Sequence, residues 1–259
     1  MTIKNYAEAA AEIAQKAGDL LLKEFGGERE ITHKGKIDLV TEMDKKSEDL
    51  ILDYINKNFP DDNVLSEEDG ASGTGGGNRW IVDPLDGTTN YAHGFPFFAT
   101  SIAVESRDKE IIAAAVCAPY MNELYTASLG GGAFLNGKEI RVSDIEKLSL
   151  SVLATGFPYD VDEGAKNLEY FGRFLYKTQA VRRPGSAALD LCAVAAGRFD
   201  GFWEFGLKPW DTAAGMLLVR EAGGLVTRID GSDYNPFMQG VLAANPFIHA
   251  EMIEVLKDE

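Results

Sequence analysis

The positions in this chain that could do chemistry are mostly carboxylates. The segment Trp80-Ile81-Val82-Asp83-Pro84-Leu85-Asp86-Gly87-Thr88-Thr89 sets Asp83 at the end of a short apolar run and Asp86 three residues later. The apolar run reads as a buried strand. Pro84 has no N–H, so the ladder is expected to stop and the chain to turn there. Gly87 lets the backbone approach a ligand closely. Thr88-Thr89 are expected to open a helix whose free N–H groups suit a phosphate. Two carboxylates this close repel each other unless a cation lies between them. A hard divalent ion such as magnesium, which prefers oxygen ligands, is the natural occupant. Without an ion, the same pair reads as the cap of a turn.

Two further segments carry acidic residues at comparable places. Glu67-Glu68-Asp69 follows Val64-Leu65, which reads as the end of a short strand. Trp210-Asp211-Thr212-Ala213-Ala214-Gly215 puts an aspartate at a helix start. Alone, the first is an ordinary solvated charge run and the second an ordinary N-cap. Taken with Asp83 and Asp86, they describe a site.

The elements that would position these groups follow from periodicity. Tyr6, Ala10, Ile13, Ala17, Leu20, Leu21 and Phe25 recur at helical spacing up to Gly26-Gly27. A second helix is expected from Val40, Met43, Leu50, Ile51, Tyr54 and Ile55, closed by Pro60. His33 to Lys36 reads as an exposed basic turn. Asp69 to Asn78 reads as a mobile glycine-rich loop with no packed element, closing when metal and substrate bind. Strands are expected at Trp80–Val82, Ala99–Val104, Ile111–Cys117 and Leu124–Ala127, with a hairpin at Asn136-Gly137. Helices are expected over Ala165–Tyr176, Ser186–Ala196 and Thr212–Glu221. Asn245-Pro246 reads as the start of a last one. Segregated blocks of helices and strands imply a layered α+β or α/β sandwich. Residues 1–259 read as one domain, with a weak seam near Val142–Leu150 between lobes of about 1–142 and 150–259.

Bulk properties narrow the function classes. The net charge of −16, from 25 Lys and Arg against 41 Asp and Glu, repels nucleic acid and anionic lipid unless a local patch overrides it. No apolar stretch is long enough to span a membrane, and Met1 to Lys4 does not look like a secretory leader. Cys117 and Cys192 lie in small apolar surroundings, as reduced core thiols do, so a cytoplasmic setting is expected.

In order along the chain, these motifs resemble the inositol monophosphatase family: Glu67-Glu68, then Trp80 to Tyr91, then Trp210 to Gly215 leading to Glu221-Ala222-Gly223-Gly224. Asp38-Leu39-Val40-Thr41-Glu42-Met43-Asp44 and Gly185-Ser186-Ala187-Ala188 add two further matches. The resemblance implies a five-layered αβαβα sandwich, usually dimeric, and a lithium-sensitive phosphatase that hydrolyses inositol monophosphate. It implies two to three magnesium ions, with manganese able to substitute. Glu67, Asp83 and the Leu85 carbonyl would surround the first ion, and Asp83, Asp86 and Asp211 the second. A weaker third would lie near Glu67. Asp44 and Thr88 would orient and deprotonate a water that attacks phosphorus in line, with no phosphoenzyme. Glu204, seven residues before Asp211, would bind an inositol hydroxyl. Gly185, Ser186 and Ala187 would pack beside the ring, and Asp86, Gly87, Thr88 and Asp211 would also face the substrate. Lys34, and less so Lys36, would approach the metals.

Other chemistries fit less well. Gly132 to Lys138 begins like a P-loop, but Glu139 stands where a Ser or Thr must reach magnesium. A phosphoaspartate mechanism wants two aspartates spaced two apart. His33, His93 and His249 make no zinc pattern and read as surface or packing residues, and Gly185-Ser186 lacks a nucleophile elbow. The alternatives kept are a broader sugar or nucleotide phosphatase, acting on fructose 1,6-bisphosphate or NADP, and a partner-binding role in a transcription complex beside catalysis.

Overall fold

The computed structural model of the chain describes residues 2–27, 31–33, 39–73, 75–157 and 161–257. Lys34, Lys36 and Asp38 lie outside these residues. Helix α1 (Ile3–Glu24) opens on Thr2, whose side chain accepts from the Asn5 N–H at 3.3 Å while the Thr2 N–H donates to Asn5 Oδ1 at 2.9 Å. Its face of Tyr6, Ala10, Ile13, Ala17 and Leu21 is buried, as the 3.6-residue period requires. A short antiparallel pair, β1 (Ile31–His33) and β2 (Leu39–Thr41), leads into α2 (Glu42–Asn58). Val40 thus belongs to a strand and not to the second helix, which begins two residues later.

The larger sheet holds β3 (Asn63–Ser66), β4 (Gly70–Ser72), β5 (Arg79–Asp86), β6 (Ala99–Glu105), β7 (Ile111–Ala118), β8 (Glu123–Ser128), β9 (Gly132–Leu135) and β10 (Lys138–Glu139). Their order is β10-β9-β8-β7-β6-β5-β3-β4, antiparallel except for β3 beside β5. The smaller sheet holds β11 (Val152–Thr155), β12 (Ala180–Arg182), β13 (Gly201–Glu204), β14 (Leu225–Arg228) and β15 (Val241–Ala244), in the order β12-β11-β13-β15-β14. The remaining helices are α3 (Thr88–Ala92), α4 (Val161–Leu175), α5 (Ala187–Ala195), α6 (Pro209–Glu221) and α7 (His249–Leu256).

Three apolar clusters glue these elements into five layers. One joins α1 and α2 to the outer face of the larger sheet through Ile13, Ala17, Ile51, Trp80 and Ile102. A second lies between the sheets, where α5 and α6 are buried on both sides through Leu191, Val194, Met216 and Leu218. A third packs α4 and α7 on the far side of the smaller sheet through Tyr170, Phe174, Trp203 and Met252. The order is therefore helices, sheet, helices, sheet, helices. Strands covered on both faces bury every residue, which is why β6 and β7 show no alternation of polar and apolar residues. Among the described residues no helix is long and apolar enough to cross a membrane. Both cysteines are free and buried, and burial pushes the Cys117 thiol up to about 12.

The structure corrects several local expectations. The segment after Asp69 is not without a packed element: β4 pairs with β3 in register Val64↔Ser72. Farther on, Gly77 donates to the Asp61 carbonyl at 2.9 Å, and Asn63 Nδ2 donates to the Gly75 carbonyl at 2.9 Å. A Cβ at Gly75 or Gly77 would collide with the Asp61 backbone, so these glycines serve close packing. β5 does not turn at Pro84 but continues to Asp86. The register against β6 passes from Asp83↔Ser101 to Asp86↔Ala99, so three steps on one strand match two on the other. That bulge absorbs the missing proline N–H. Asn136-Gly137 does form the hairpin, with φ of 49° and 74°. α4 starts at Val161, α6 at Pro209 and α7 only at His249. Asn245 Oδ1 instead caps the turn before α7, accepting from Phe247 and Ile248 N–H.

Candidate active site

β3 ends at Ser66 beside Val82 of the parallel strand β5, so Glu67 and Asp83, the next residue of each, lie at the same end of the larger sheet. In the smaller sheet, β11 and β13 are also parallel and end together, at Thr155 and Glu204. The N-termini of α3, α5 and α6 meet these strand ends. One cavity of about 220 Å³ forms there, bounded by Glu67, Asp83, Leu85, Asp86 and Asp211, by Gly87 and Thr88, by Gly185 to Ala187, and by Asp190 and Glu204. Ligand sites outside strand C-termini are the general rule for such sheets, and exposed helix N–H groups favour an anion.

Each side chain is aimed by local chemistry. The bulge leaves the Pro84 carbonyl without a ladder partner. Ser47 Oγ donates to it at 2.8 Å and Thr100 Oγ1 at 3.2 Å. Asp83, 1 % exposed, accepts the Leu85 N–H at 3.0 Å, a local turn that fixes its rotamer. Asp86 Oδ2 accepts from Ser186 Oγ at 2.5 Å and from Ala188 N–H at 2.8 Å, tying β5 to the start of α5. Gly87, at φ 88°, holds the left-handed conformation that lets α3 begin immediately. Asp211 is the third residue of α6 and not its cap. Its Oδ2 reaches back to the Lys208 N–H at 2.6 Å. The turn holding Glu67 is fixed by Glu48, buried on α2, which accepts the N–H groups of Glu68 and Asp69 at 3.2 and 3.3 Å.

Thr88 Oγ1 lies 2.9 Å from Asp44 Oδ1 and 3.0 Å from the Leu85 carbonyl. Asp44 is 1 % exposed and does not line the cavity itself; it stands behind Thr88. Glu204, at the end of β13, receives the Gly156 N–H.

The electrostatics are those of crowded anions. Burial, then the charges of Glu67, Asp86 and Asp211, push Asp83 well above the usual carboxylate range. Burial likewise raises Asp86 to about 6 against its hydrogen bonds from Ser186 and Ala188. Asp211 is raised by burial and by Asp86 and Glu67, with the Lys208 N–H opposing. Among the described residues no three acidic, cysteine or histidine side chains close into a finished metal cage. The donor set nonetheless fits a hard cation: carboxylates and one peptide carbonyl, all oxygen, with one oxygen each of Asp83, Asp86 and Asp211 steadied by a protein donor.

Among the described residues, all of those expected at the site meet at this cavity except Asp44, which stands behind it; Lys34 and Lys36 lie outside the described residues. Sequence reasoning did not find Asp190, Gly156, Phe157 or Leu207 in the lining. It gave no role to Asn90, whose Nδ2 lies 2.8 Å from the Phe97 carbonyl and 3.0 Å from that of Pro184. Asp190 left a legible signal, because it is the one charge in the run Ala187–Ala195, which is buried throughout. A charge on such a helix requires a partner.

Comparison with known proteins agrees with this geometry. The family model described as the inositol monophosphatase family matches residues 3–259. The Nus factor SuhB of Escherichia coli is 43% identical over 96% of this chain and 95% of its own length. A fructose-1,6-bisphosphatase/inositol-1-monophosphatase of Aquifex aeolicus is 41% identical over 98% of this chain and 96% of its own. The solved inositol monophosphatase of Anabaena (Nostoc) sp. superposes with a TM-score of 0.90, at 39% identity, covering 99% of this chain and 96% of the other. The chain belongs to the inositol monophosphatase family.

Proposed function

We propose that the protein is a magnesium-dependent phosphomonoesterase whose substrate is an inositol monophosphate. The observation that carries this reading is the gathering of Glu67, Asp83, Asp86 and Asp211 with the Leu85 backbone around one cavity that three helix N-termini approach. Glu67, Asp83 and the Leu85 carbonyl would hold one ion, and Asp83, Asp86 and Asp211 a second; manganese would serve in place of magnesium. Bound divalent cations supply Lewis acidity, neutralising phosphate oxygens and easing deprotonation of water. The protein's own groups do the rest. Thr88 orients the attacking water, and Asp44, 2.9 Å from the Thr88 hydroxyl, draws off its proton. N–H groups at the start of α3 receive the phosphate. Glu204 accepts a hydrogen bond from a hydroxyl of the polyol, and Ser186 and Ala187 border the ring.

Hydrolysis of sugar bisphosphates is the second reading, favoured by the name of the Aquifex relative. The name of the Escherichia coli relative favours a partner in transcription in addition to catalysis. A cytoplasmic homodimer completes the proposal, tested by light scattering of the purified protein. The activity is tested by phosphate release from inositol 1-phosphate, fructose 1,6-bisphosphate and NADP, with magnesium or with EDTA. The expected order of kcat/KM puts inositol 1-phosphate first, with no turnover in EDTA. Metal-independent release, or none from any phosphomonoester, would refute the proposal.

A further inference from the structure

One acidic group of the cavity is unused by the mechanism above. Asp190 lies in the first turn of α5 and is 1 % exposed, yet its Oδ1 meets no hydrogen-bond donor among the described residues. It lines the cavity together with Glu204 and Arg183, and both of their charges act on it. A buried carboxylate oxygen without a donor is destabilising, a burden seldom kept unless a ligand relieves it.

We propose that Asp190 is a second recognition residue for the polyol, pairing with Glu204 to receive adjacent hydroxyls of the ring that carries the phosphate. The proposal rests on the phosphatase reading above. A hydroxyl both donates and accepts, so it satisfies a carboxyl in either protonation state, whereas a phosphate oxygen only repels a carboxylate. Two acceptors on one wall suit a vicinal diol. Arg183 supplies the countercharge, and its pull on both carboxyls opposes the burial that raises them. The phosphate is then left to the start of α3, where Gly87 and Thr88 line the same cavity. The substrate class that follows is a cyclic polyol or sugar phosphate with neighbouring free hydroxyls, and an aryl phosphate gains nothing from this wall.

The test compares wild type with Asp190→Asn and Asp190→Ser on inositol 1-phosphate and on p-nitrophenyl phosphate, with a magnesium titration for each. For both variants we expect KM for inositol 1-phosphate to rise roughly tenfold or more, with KM for the aryl ester and half-saturating magnesium within twofold of wild type. Equal losses on both substrates, a shifted magnesium requirement, or failure of both variants to fold would overturn the assignment. A wild type that hydrolyses neither ester sinks the phosphatase reading instead, so the two failures are distinguishable.

Discussion

Removing one charge from the acidic cavity should make the metal-free protein more stable and catalytically dead. Asp83→Asn keeps the side-chain shape and the Oδ1 that accepts the Leu85 N–H at 3.0 Å. It deletes a buried anion that faces Glu67, Asp86 and Asp211. Neutralising an uncompensated buried charge is worth roughly 1–4 kcal/mol. For a chain of this size each kcal/mol moves Tm by about 2–4 °C, so the variant should melt about 2–16 °C higher in EDTA. Magnesium narrows the gap or reverses it. A ligand at 100 times its Kd adds about 2.7 kcal/mol to wild type and little to the variant. The pH dependence has a definite sign. Carboxyls raised by folding contribute stability below their ordinary range and lose it as pH climbs through the raised values, which for Asp86 is about 6. The gap in EDTA between variant and wild type should therefore widen as pH rises from 5 toward 7.5. Thermal melts in EDTA and in magnesium at both pH values, with phosphate release assayed in parallel, read all of this. A variant that melts below wild type in EDTA at neutral pH, or that keeps the full magnesium shift, would refute the account of the cavity.

Two further substitutions probe how the site is aimed. Glu48→Ala removes the acceptor for the Glu68 and Asp69 N–H groups. It should cost about 2–4 kcal/mol and raise the half-saturating magnesium concentration about tenfold, with Glu48→Gln intermediate; unchanged melting and metal dependence would show that the turn needs no such anchor. Ser186→Ala deletes both the cap of α5, which accepts the Leu189 N–H at 3.3 Å, and the donor to Asp86. A loss of about 1–3 kcal/mol and a several-fold rise in KM are expected in melts and steady-state assays. A fall in kcat alone would contradict a positioning role.

Much of this architecture could be read from periodicity and spacing. The helical stripe of α1, the apolar runs of β6 and β7 and the Asn136-Gly137 hairpin are local, and local sterics and burial decide them. The ordered acidic motifs, through their family resemblance, pointed to the layered sandwich and to the ligand set. Spacing rules could not tell that Pro84 sits in a bulge, because the accommodation comes from pairing with β6 and from hydroxyls on Ser47 and Thr100. Nor could they tell that the glycines after Asp69 press against Asp61, since that contact needs two loops folded together.

What the sequence determined alone is the chemistry on offer: oxygen donors at the ends of apolar runs, glycine where the backbone must bend sharply, and no histidine or cysteine set to rival them. Only the tertiary structure decided which of those donors share a cavity. Parallel pairing sets the end of β3 beside Val82 and Asp83 of β5 and, in the other sheet, brings together the ends of β11 and β13, while the shared layer of α5 and α6 holds both sheets against one cavity. Proximity between residues far apart along the chain is set by packing of buried surfaces, and that packing also carried Asp190 to the cavity wall, where its charge is costly.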